Sequence, residues 1–266
     1  MKKILLGLAL VAGFALANET LTVAASPVPH ADILKVVKPM LAKQGINLVI
    51  QEYSDYIMPN RVLTSKKVDA NYFQTIPYMN GYNKNAGTDI IMLDLIHIEP
   101  MAVYVSPKNK DITKANYLTK IKKGAIVGIP NDPSNEARAL VILSQAGLIK
   151  MNEKANPVAY TPKDIASNPL TLKFKELEAA MLPRALSANS LDLAVVNANF
   201  AISAGLNPVK TSIAIESKDS FYANGIAVLP ANKNDPRILK LIKDLKSPEV
   251  RAYIQSKYNG QVIPAF

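Results

Sequence analysis

The strongest pattern of residues that could do chemistry spans residues 128–140, with the sequence GIPNDPSNEARAL. It predicts a strand, a polar turn and a helix start, with Asp132 as the N-cap and Pro133 in the first turn. The N–H groups of a first helical turn have no partner within the helix and favour an anion. Asn135 and Arg138 are three residues apart and share a helix face, and a guanidinium can pair with a carboxylate through two parallel hydrogen bonds. The pattern indicates a carboxylate site, although an exposed helical arginine would look the same.

A cluster of aromatic residues occupies residues 68–78, with the sequence VDANYFQTIPY. Tyr72, Phe73 and Tyr78 surround one predicted junction between a strand and a helix. Such rings could form the wall of a pocket for an aliphatic or thioether side chain. On a straight strand Tyr72 and Phe73 would point to opposite faces, so at least one of them also fits an ordinary core position.

Three further polar residues lie at the ends of predicted strands. His97 is in LIHIEPM, Asn197 is in VVNAN, and Asn224 is in FYANG. An asparagine side chain both donates and accepts, so it can contact an ammonium group and a carboxylate together. Structural roles remain open for all three, as a hydrogen-bonded histidine or as turn and cap asparagines.

Motifs for catalysis are missing from the chain. GxSxG, GxxxxGK[ST], GxGxxG and HExxH do not occur, cysteine is absent, and His30 and His97 are the only histidines. These absences exclude thiolate sites and sites of several histidines. The sequence therefore predicts no enzyme, no catalytic residue, no metal and no cofactor. A hydrolase remains a less favoured alternative.

The elements that must position these residues alternate between strands and helices, which predicts an α/β architecture. Hydrophobic periodicity predicts strands at residues 21–25, 47–53, 68–72, 90–98, 101–105, 125–129, 172–177, 193–196, 212–215 and 225–229. It predicts helices at residues 33–42, 55–63, 78–85, 133–145, 179–186, 199–204, 236–245 and 248–258. Short crossings between two lobes are expected near residues 101–105 and 222–226.

The chain is basic, with 31 Lys and Arg against 21 Asp and Glu and a net charge of +10. The lysines are scattered, and neither an arginine-rich run nor an RNA-binding aromatic motif accompanies them. A solvated basic surface explains this composition, so no nucleic-acid partner is predicted.

The N-terminus has the pattern of a secretory signal peptide. Lys2 and Lys3 precede an uncharged apolar run at residues 4–17, which ends in the small-x-small sequence ALA. The run is shorter than the roughly 20 residues that cross a bilayer. A buried N-terminal helix is the alternative. We therefore expect cleavage near Ala17 and a soluble periplasmic protein, and the absence of cysteine predicts that it is not anchored by lipid.

Several motifs in consistent order resemble one family, the methionine-binding lipoproteins of bacterial ABC importers, or MetQ/NlpA family. They are DANYFQ with a following PY, HIEPM, IPNDPSNExRAL, ELEAAxLPR and VNxNFA, and the likeness runs from about Leu21 to the C-terminus. The resemblance implies a two-lobed type 2 periplasmic-binding fold, each lobe a mixed sheet flanked by helices. Lobe 1 would comprise residues 18–103 and 224–266, and lobe 2 residues 104–223. Family members typically carry a lipidated cysteine, and this chain departs from that pattern.

The resemblance also implies roles for individual residues. Arg138 would hold the ligand carboxylate, and Asn197 and Asn224 would hold the amino-acid backbone. Asn135 would be a polar partner in or beside the site. The ligand side chain would be surrounded by Tyr72, Phe73, Tyr78 and His97.

The function implied is a monomeric receptor that captures L-methionine or a close analogue and delivers it to an inner-membrane ABC permease. Another apolar amino acid or a methionine-containing dipeptide is an alternative ligand. A surface adhesin or host-interaction protein is an alternative of another class, which an exposed apolar patch outside the cleft would favour.

Overall fold

The structure, a computed structural model, describes residues 19–217 and 220–266, so the predicted signal peptide lies outside the described residues. Its strands are β1 (Glu19–Ala25), β2 (Ile46–Glu52), β3 (Ala70–Thr75), β4 (Ile91–Ile98), β5 (Ala102–Val105), β6 (Ile126–Pro130), β7 (Lys150–Met151), β8 (Ile165–Ser167), β9 (Lys173–Leu177), β10 (Leu193–Val196), β11 (Ala214–Ile215), β12 (Ala223–Val228) and β13 (Ile263–Pro264). Its helices are α1 (Asp32–Ala42), α2 (Met58–Thr64), α3 (Ile76–Ala86), α4 (Tyr117–Lys120), α5 (Pro133–Gln145), α6 (Leu182–Ser187), α7 (Ala198–Ser203), α8 (Pro236–Leu245) and α9 (Pro248–Tyr258). Within these ranges, none of the helices combines the length and the apolar character needed to span a membrane.

The first sheet is mixed and has the strand order β13–β4–β12–β3–β1–β2. β1 pairs in parallel with β2 and β3, whereas β12 runs antiparallel to β3 and β4. Successive residues of β1 point to opposite faces, as expected for a strand. Val23 packs with residues of α1, α8 and α9, and Ala24 packs with residues of α2 and α3. Helices therefore cover both faces.

The second sheet is also mixed, with the order β11–β5–β10–β6–β9. β6 pairs in parallel with β9 and β10, and β5 runs antiparallel to β10 and β11. Leu140 and Leu143 of α5 pack on one face of this sheet, and Leu182 of α6 and Ala201 of α7 pack on the other. β7 and β8 form a small separate pair.

Most predicted elements are present, and α5 has the predicted bounds, with Asp132 Oδ1 accepting from the backbone N–H of Asn135 at 3.0 Å. The helix predicted at residues 55–63 begins only at Met58. Asp55 Oδ1 accepts from the N–H groups of Ile57 and Met58 at 2.7 Å, and Pro59 then lies in the first turn, where its missing N–H has no cost. The strands β7, β8 and β13 were not predicted, because two or three residues are too short to show a period.

The chain passes between the two sheets through two short segments, one from β4 to β5 and one from β11 to β12. Ala102 and Val103 pair with β10 in the second sheet, opposite Val196 and Val195. We therefore propose that the lobe boundary lies between Ile98 and Ala102, a few residues before the position expected from sequence.

Candidate ligand-binding site

A cavity lies between the two sheets and contains about 330 Å³ of space free of protein atoms, its mouth included. The first sheet and its helices contribute part of the lining, the second lobe contributes the rest, and Glu99 lies on a crossing. The lining residues are Tyr56, Phe73, Gln74, Thr75, Tyr78, Glu99, Asn135, Arg138, Asn197, Ala198 and Asn224.

Arg138 is buried at the cavity, with 3% of its surface exposed. Its Nε donates to Glu216 Oε1 at 2.9 Å, and its Nη2 donates to Glu216 Oε2 at 2.5 Å and to the carbonyl oxygen of Glu99 at 2.8 Å. The guanidinium carbon also lies 4.4 Å from the ring centroid of Tyr222, in a cation–π contact. Burial would lower the pKa of Arg138, but the attraction and hydrogen bonds of Glu216 outweigh it, so the pKa is raised. A fixed positive charge therefore faces the cavity.

Two asparagines extend the polar wall from α5 to the start of α7. The Asn135 side chain donates to both carboxylate oxygens of Asp132 at 3.0 Å, and Asn197 Nδ2 donates to Asn135 Oδ1 at 2.8 Å. Asn197 Oδ1 is buried and accepts no hydrogen bond from any residue that the structure describes. Such an acceptor is costly unless a ligand donor completes it.

Asn224 lies in β12, where the strand contains an irregularity. The register of β12 against β4 shifts between Asn224 and Gly225. A Cβ atom at residue 225 would lie 2.1 Å from the carbonyl oxygen of Asp94, so only glycine fits this close approach. The Asn224 side chain lines the cavity, and its Oδ1 lies 3.2 Å from His30 Nε2.

Behind the cavity lies a buried cluster of Tyr72, His97, His30 and Glu99. The Tyr72 hydroxyl lies 2.5 Å from His97 Nδ1, and Glu99 Oε1 lies 2.7 Å from His97 Nε2 and 3.2 Å from His30 Nε2. Burial lowers the pKa of His30 to about 4 and that of His97 to about 3, so both rings are neutral at pH 7. Neutral rings can each donate Nε2–H to Glu99, while His97 Nδ1 accepts from Tyr72.

The same cluster is the place where a metal ion could be held. Nitrogen atoms of His30 and His97 and an oxygen of Glu99 lie within 4.8 Å of one another, so the structure pairs two histidines that the sequence separates. The hydrogen bonds described above account for the Nε2 atoms of both histidines and for Glu99 Oε1, and no metal is needed to explain them. Burial raises the pKa of Glu99, with His30 and Arg138 opposing the shift.

Six of the eight predicted site residues line the cavity: Phe73, Tyr78, Asn135, Arg138, Asn197 and Asn224. Tyr72 and His97 do not, and their predicted place around the ligand side chain needs correction. Tyr72 follows the alternation of β3 into the core while Phe73 points to the cavity, and His97 is fully buried beside Tyr72. His97 contacts the carboxylate of Glu99, and the Tyr72 hydroxyl contacts His97.

Tyr56 completes the aromatic wall that was expected from Phe73 and Tyr78. Its ring centroid lies 5.9 Å from that of Phe73, 5.6 Å from that of Tyr78 and 4.8 Å from that of Phe200. Its hydroxyl donates to Asn199 Oδ1 at 2.6 Å, which links the two lobes. Tyr56 was overlooked because it was placed within a predicted helix.

Four further lining residues were also overlooked: Gln74, Thr75, Glu99 and Ala198. Glu99 matters most for ligand binding among these four residues, because it is a buried carboxylate. It lies two residues after His97 in the motif LIHIEPM. A charged residue at the end of an apolar strand was the available signal, because charges are rarely buried without a partner.

The chain is similar in sequence to the proteins of one family. The family model described as NlpA lipoprotein matches residues 21–266. The methionine-binding lipoprotein MetQ of Bacillus subtilis (strain 168) is 35% identical over 249 residues, which are 93% of this chain and 88% of the relative.

Solved structures give the same result. A nutrient-binding protein from Burkholderia cenocepacia bound to methionine is 39% identical with a TM-score of 0.85, covering 92% of this chain and 100% of that chain. A periplasmic substrate-binding protein of an ABC transporter from Coxiella burnetii is 39% identical with a TM-score of 0.84, over the same shares of both chains. The predicted two-lobed α/β fold is thereby confirmed.

The expectation that the protein lacks a lipid anchor is contradicted by these relatives. The matching family and the Bacillus subtilis relative are named as lipoproteins, which implies anchoring. The expectation depended only on the missing cysteine, whereas the periplasmic location fits the relatives.

The match covers nearly the whole described chain, and the cavity lies between the lobes, where a receptor of this fold binds its solute. The chain therefore belongs to the NlpA lipoprotein family of solute-binding proteins, with the two-lobed fold of type 2 periplasmic binding proteins.

Proposed function

We propose that this protein binds L-methionine, or a close analogue, as a zwitterion and delivers it to an ABC permease. The observation that carries the proposal is that a positively charged side chain and hydrogen-bond acceptors line the same buried cavity. Arg138 presents a fixed positive charge, while Glu99 and the free Asn197 Oδ1 present acceptors. A zwitterionic amino acid offers the complementary carboxylate and ammonium groups.

The ammonium group would lie between Glu99 and Asn197 in this proposal. Glu99 Oε1 lies within hydrogen-bonding distance of both histidines and the Asn199 backbone also contacts the carboxylate, and we propose that Oε2 contacts the ligand ammonium group as well. Asn197 Nδ2 donates one of its two protons to Asn135 Oδ1, whereas the buried Asn197 Oδ1 has no partner in the described residues and can accept from a ligand. A carboxylate and an unpartnered amide oxygen that line the same cavity favour an ammonium group.

The aromatic wall favours a thioether side chain. The rings of Tyr56, Phe73 and Tyr78 lie 5.6 to 5.9 Å apart, which leaves edges and faces for a flexible apolar chain. A sulfur–aromatic contact is worth about 0.3–1.5 kcal/mol. This gain is small, so another apolar amino acid or a methionine-containing dipeptide would compete.

Delivery to a permease is the other half of the proposal. Residues of both lobes line the cavity, so a ligand that contacts both would stabilise the closed form by its differential affinity. The Coxiella burnetii neighbour is named as the substrate-binding protein of an ABC transporter. We propose that the protein acts in the same way, as a monomer without enzymatic activity.

Calorimetry on ligand-stripped protein tests the proposal. L-Methionine, L-norleucine, D-methionine, L-leucine and a methionine-containing dipeptide form the panel, and mass spectrometry of ligand carried through purification adds an unbiased test. We expect L-methionine to bind at micromolar concentration or below and more tightly than norleucine. If none of these ligands bound below the millimolar range, the proposal would be wrong.

A further inference from the structure

The carboxylate of Glu216 occupies the bidentate face of the arginine proposed to hold the ligand. Nε and Nη2 of Arg138 donate to its two oxygens at 2.9 and 2.5 Å, and the second Nη2 proton goes to the Glu99 carbonyl at 2.8 Å. A guanidinium has five N–H donors, so three are engaged. The two on Nη1 remain, and they have no hydrogen bond to any residue described in the structure.

Glu216 is itself held by both crossings between the lobes. Its backbone N–H donates to the carbonyl of Met101 at 2.9 Å, and its Oε2 accepts from the N–H of Met101 at 3.2 Å. Ser220 donates to Oε1 at 3.1 Å from the other crossing. Tyr222 lies against the guanidinium 4.4 Å from its carbon. The arginine is therefore fixed in rotation by Glu216, by the ring of Tyr222 and by the carbonyl of Glu99.

We propose that Glu216 is a positioning and specificity-determining residue, which restricts the ligand's carboxyl end to a single nitrogen, Nη1 of Arg138. This rests on the proposed function. The ligand carboxyl group cannot form the usual pair of parallel bonds, and part of the arginine charge is already neutralised. A neutral carbonyl oxygen can accept from Nη1 as well, so the site recognises the class of α-ammonium ligands with any carbonyl at this position, including amides and peptides.

The test compares L-methionine with L-methioninamide by calorimetry at about pH 6, where both carry the ammonium group. The measured quantity is the ratio of the two dissociation constants. For the wild-type protein we expect the amide to bind within about tenfold of the acid. In Glu216→Gln, which keeps the shape and removes the charge, Arg138 regains its full attraction for a carboxylate, and we expect the ratio to rise at least about tenfold.

Two controls separate this role from a merely structural one. A structural defect would weaken both ligands by the same factor and leave the ratio unchanged. Glu216→Asp keeps the charge and should restore a ratio near that of the wild type. Glu153→Gln makes the same chemical change at an exposed position of the second lobe and should alter neither constant.

The wild-type ratio decides the matter even if Glu216→Gln does not fold. A wild-type protein that prefers the acid by more than about a hundredfold would overturn the inference, because the ligand carboxylate must then displace Glu216 from Nε and Nη2 of Arg138. An unchanged ratio in folded Glu216→Gln would overturn it as well. A wild-type protein that binds neither ligand would overturn the proposed function, and the inference with it.

Discussion

The hydroxyl oxygen of Tyr72 lies 2.5 Å from Nδ1 of His97, on the opposite side of β3 from the cavity that Phe73 lines. Two adjacent aromatic residues thus have separate roles. Phe73 contributes to the wall that a ligand would contact. Tyr72 belongs to the buried cluster that holds the carboxylate of Glu99 in place.

Substitutions at these two positions should therefore have different effects. Tyr72→Phe removes only the hydroxyl and leaves His97 Nδ1 without its partner, so we expect the free energy of unfolding to fall by about 1–3 kcal/mol. Ligand affinity should change by no more than a few-fold. Phe73→Leu should weaken L-methionine binding by about 1 kcal/mol, since a ring face is lost. Denaturant unfolding and calorimetry measure the two quantities, and a large loss of affinity in Tyr72→Phe would contradict this division.

Arg138 is expected to support both stability and binding. In Arg138→Ala the carboxylate of Glu216 remains buried without its charge partner, which should lower the free energy of unfolding by about 3–5 kcal/mol. Binding of L-methionine should weaken by about 2–5 kcal/mol.

The double variant Arg138→Met with Glu216→Gln separates the two effects. It removes both charges and should recover most of the stability, because a buried ion pair can be replaced by neutral groups at little cost. It should not recover binding. Recovery of binding in this variant would show that the ligand carboxylate does not contact Arg138.

The local part of the site could be predicted from sequence. The bounds of α5 follow from Asp132, Pro133 and Gly147, because capping and turn preferences act between neighbours. Asn135 and Arg138 were correctly placed on one face for the same reason. The alternation of side chains along β3 indicated that at least one of Tyr72 and Phe73 belongs to the core, but it did not indicate which of the two.

The rest of the site depends on contacts between residues distant in the chain. His30 approaches Asn224 across 194 positions, and Arg138 approaches Glu216 across 78. Neither hydrophobic periodicity nor a short motif reveals contacts between residues so far apart in the sequence. For this reason neither His30 nor Glu216 was predicted. Glu99 was overlooked although its motif was recognised, because its role follows from burial among histidines.

Asn197 gives a prediction that depends mainly on its unpartnered oxygen, Oδ1. Its Oδ1 is buried without a partner in the described residues, so the unliganded protein gains nothing from it. Asn197→Ala removes this acceptor together with the hydrogen bond from Nδ2 to Asn135 Oδ1, so it should weaken L-methionine binding by about 1–3 kcal/mol and also lower the free energy of unfolding by about 1 kcal/mol. Asn234→Ala, at an exposed position, is the matched control. A loss of stability with unchanged affinity in Asn197→Ala would instead assign the residue a purely structural role.

The two buried histidines make stability depend on pH in a defined window. Burial lowers the pKa of His30 to about 4 and that of His97 to about 3 from 6.5, so below pH 6.5 the unfolded chain takes up protons that the folded chain does not. Each histidine therefore contributes a stability that is complete above pH 6.5 and is lost as the pH falls towards 4, at up to about 1.4 kcal/mol per pH unit. Glu99 opposes this loss, since its pKa is raised by burial. The polar groups around the cluster include Arg138, Tyr72, Asn224 and the backbone groups of Val28 and Asn199. His30→Asn should reduce the slope of unfolding free energy against pH between 6.5 and 4 by about one proton, measured by urea unfolding at a series of pH values. A slope equal to that of the wild type would mean that His30 is protonated in the folded protein.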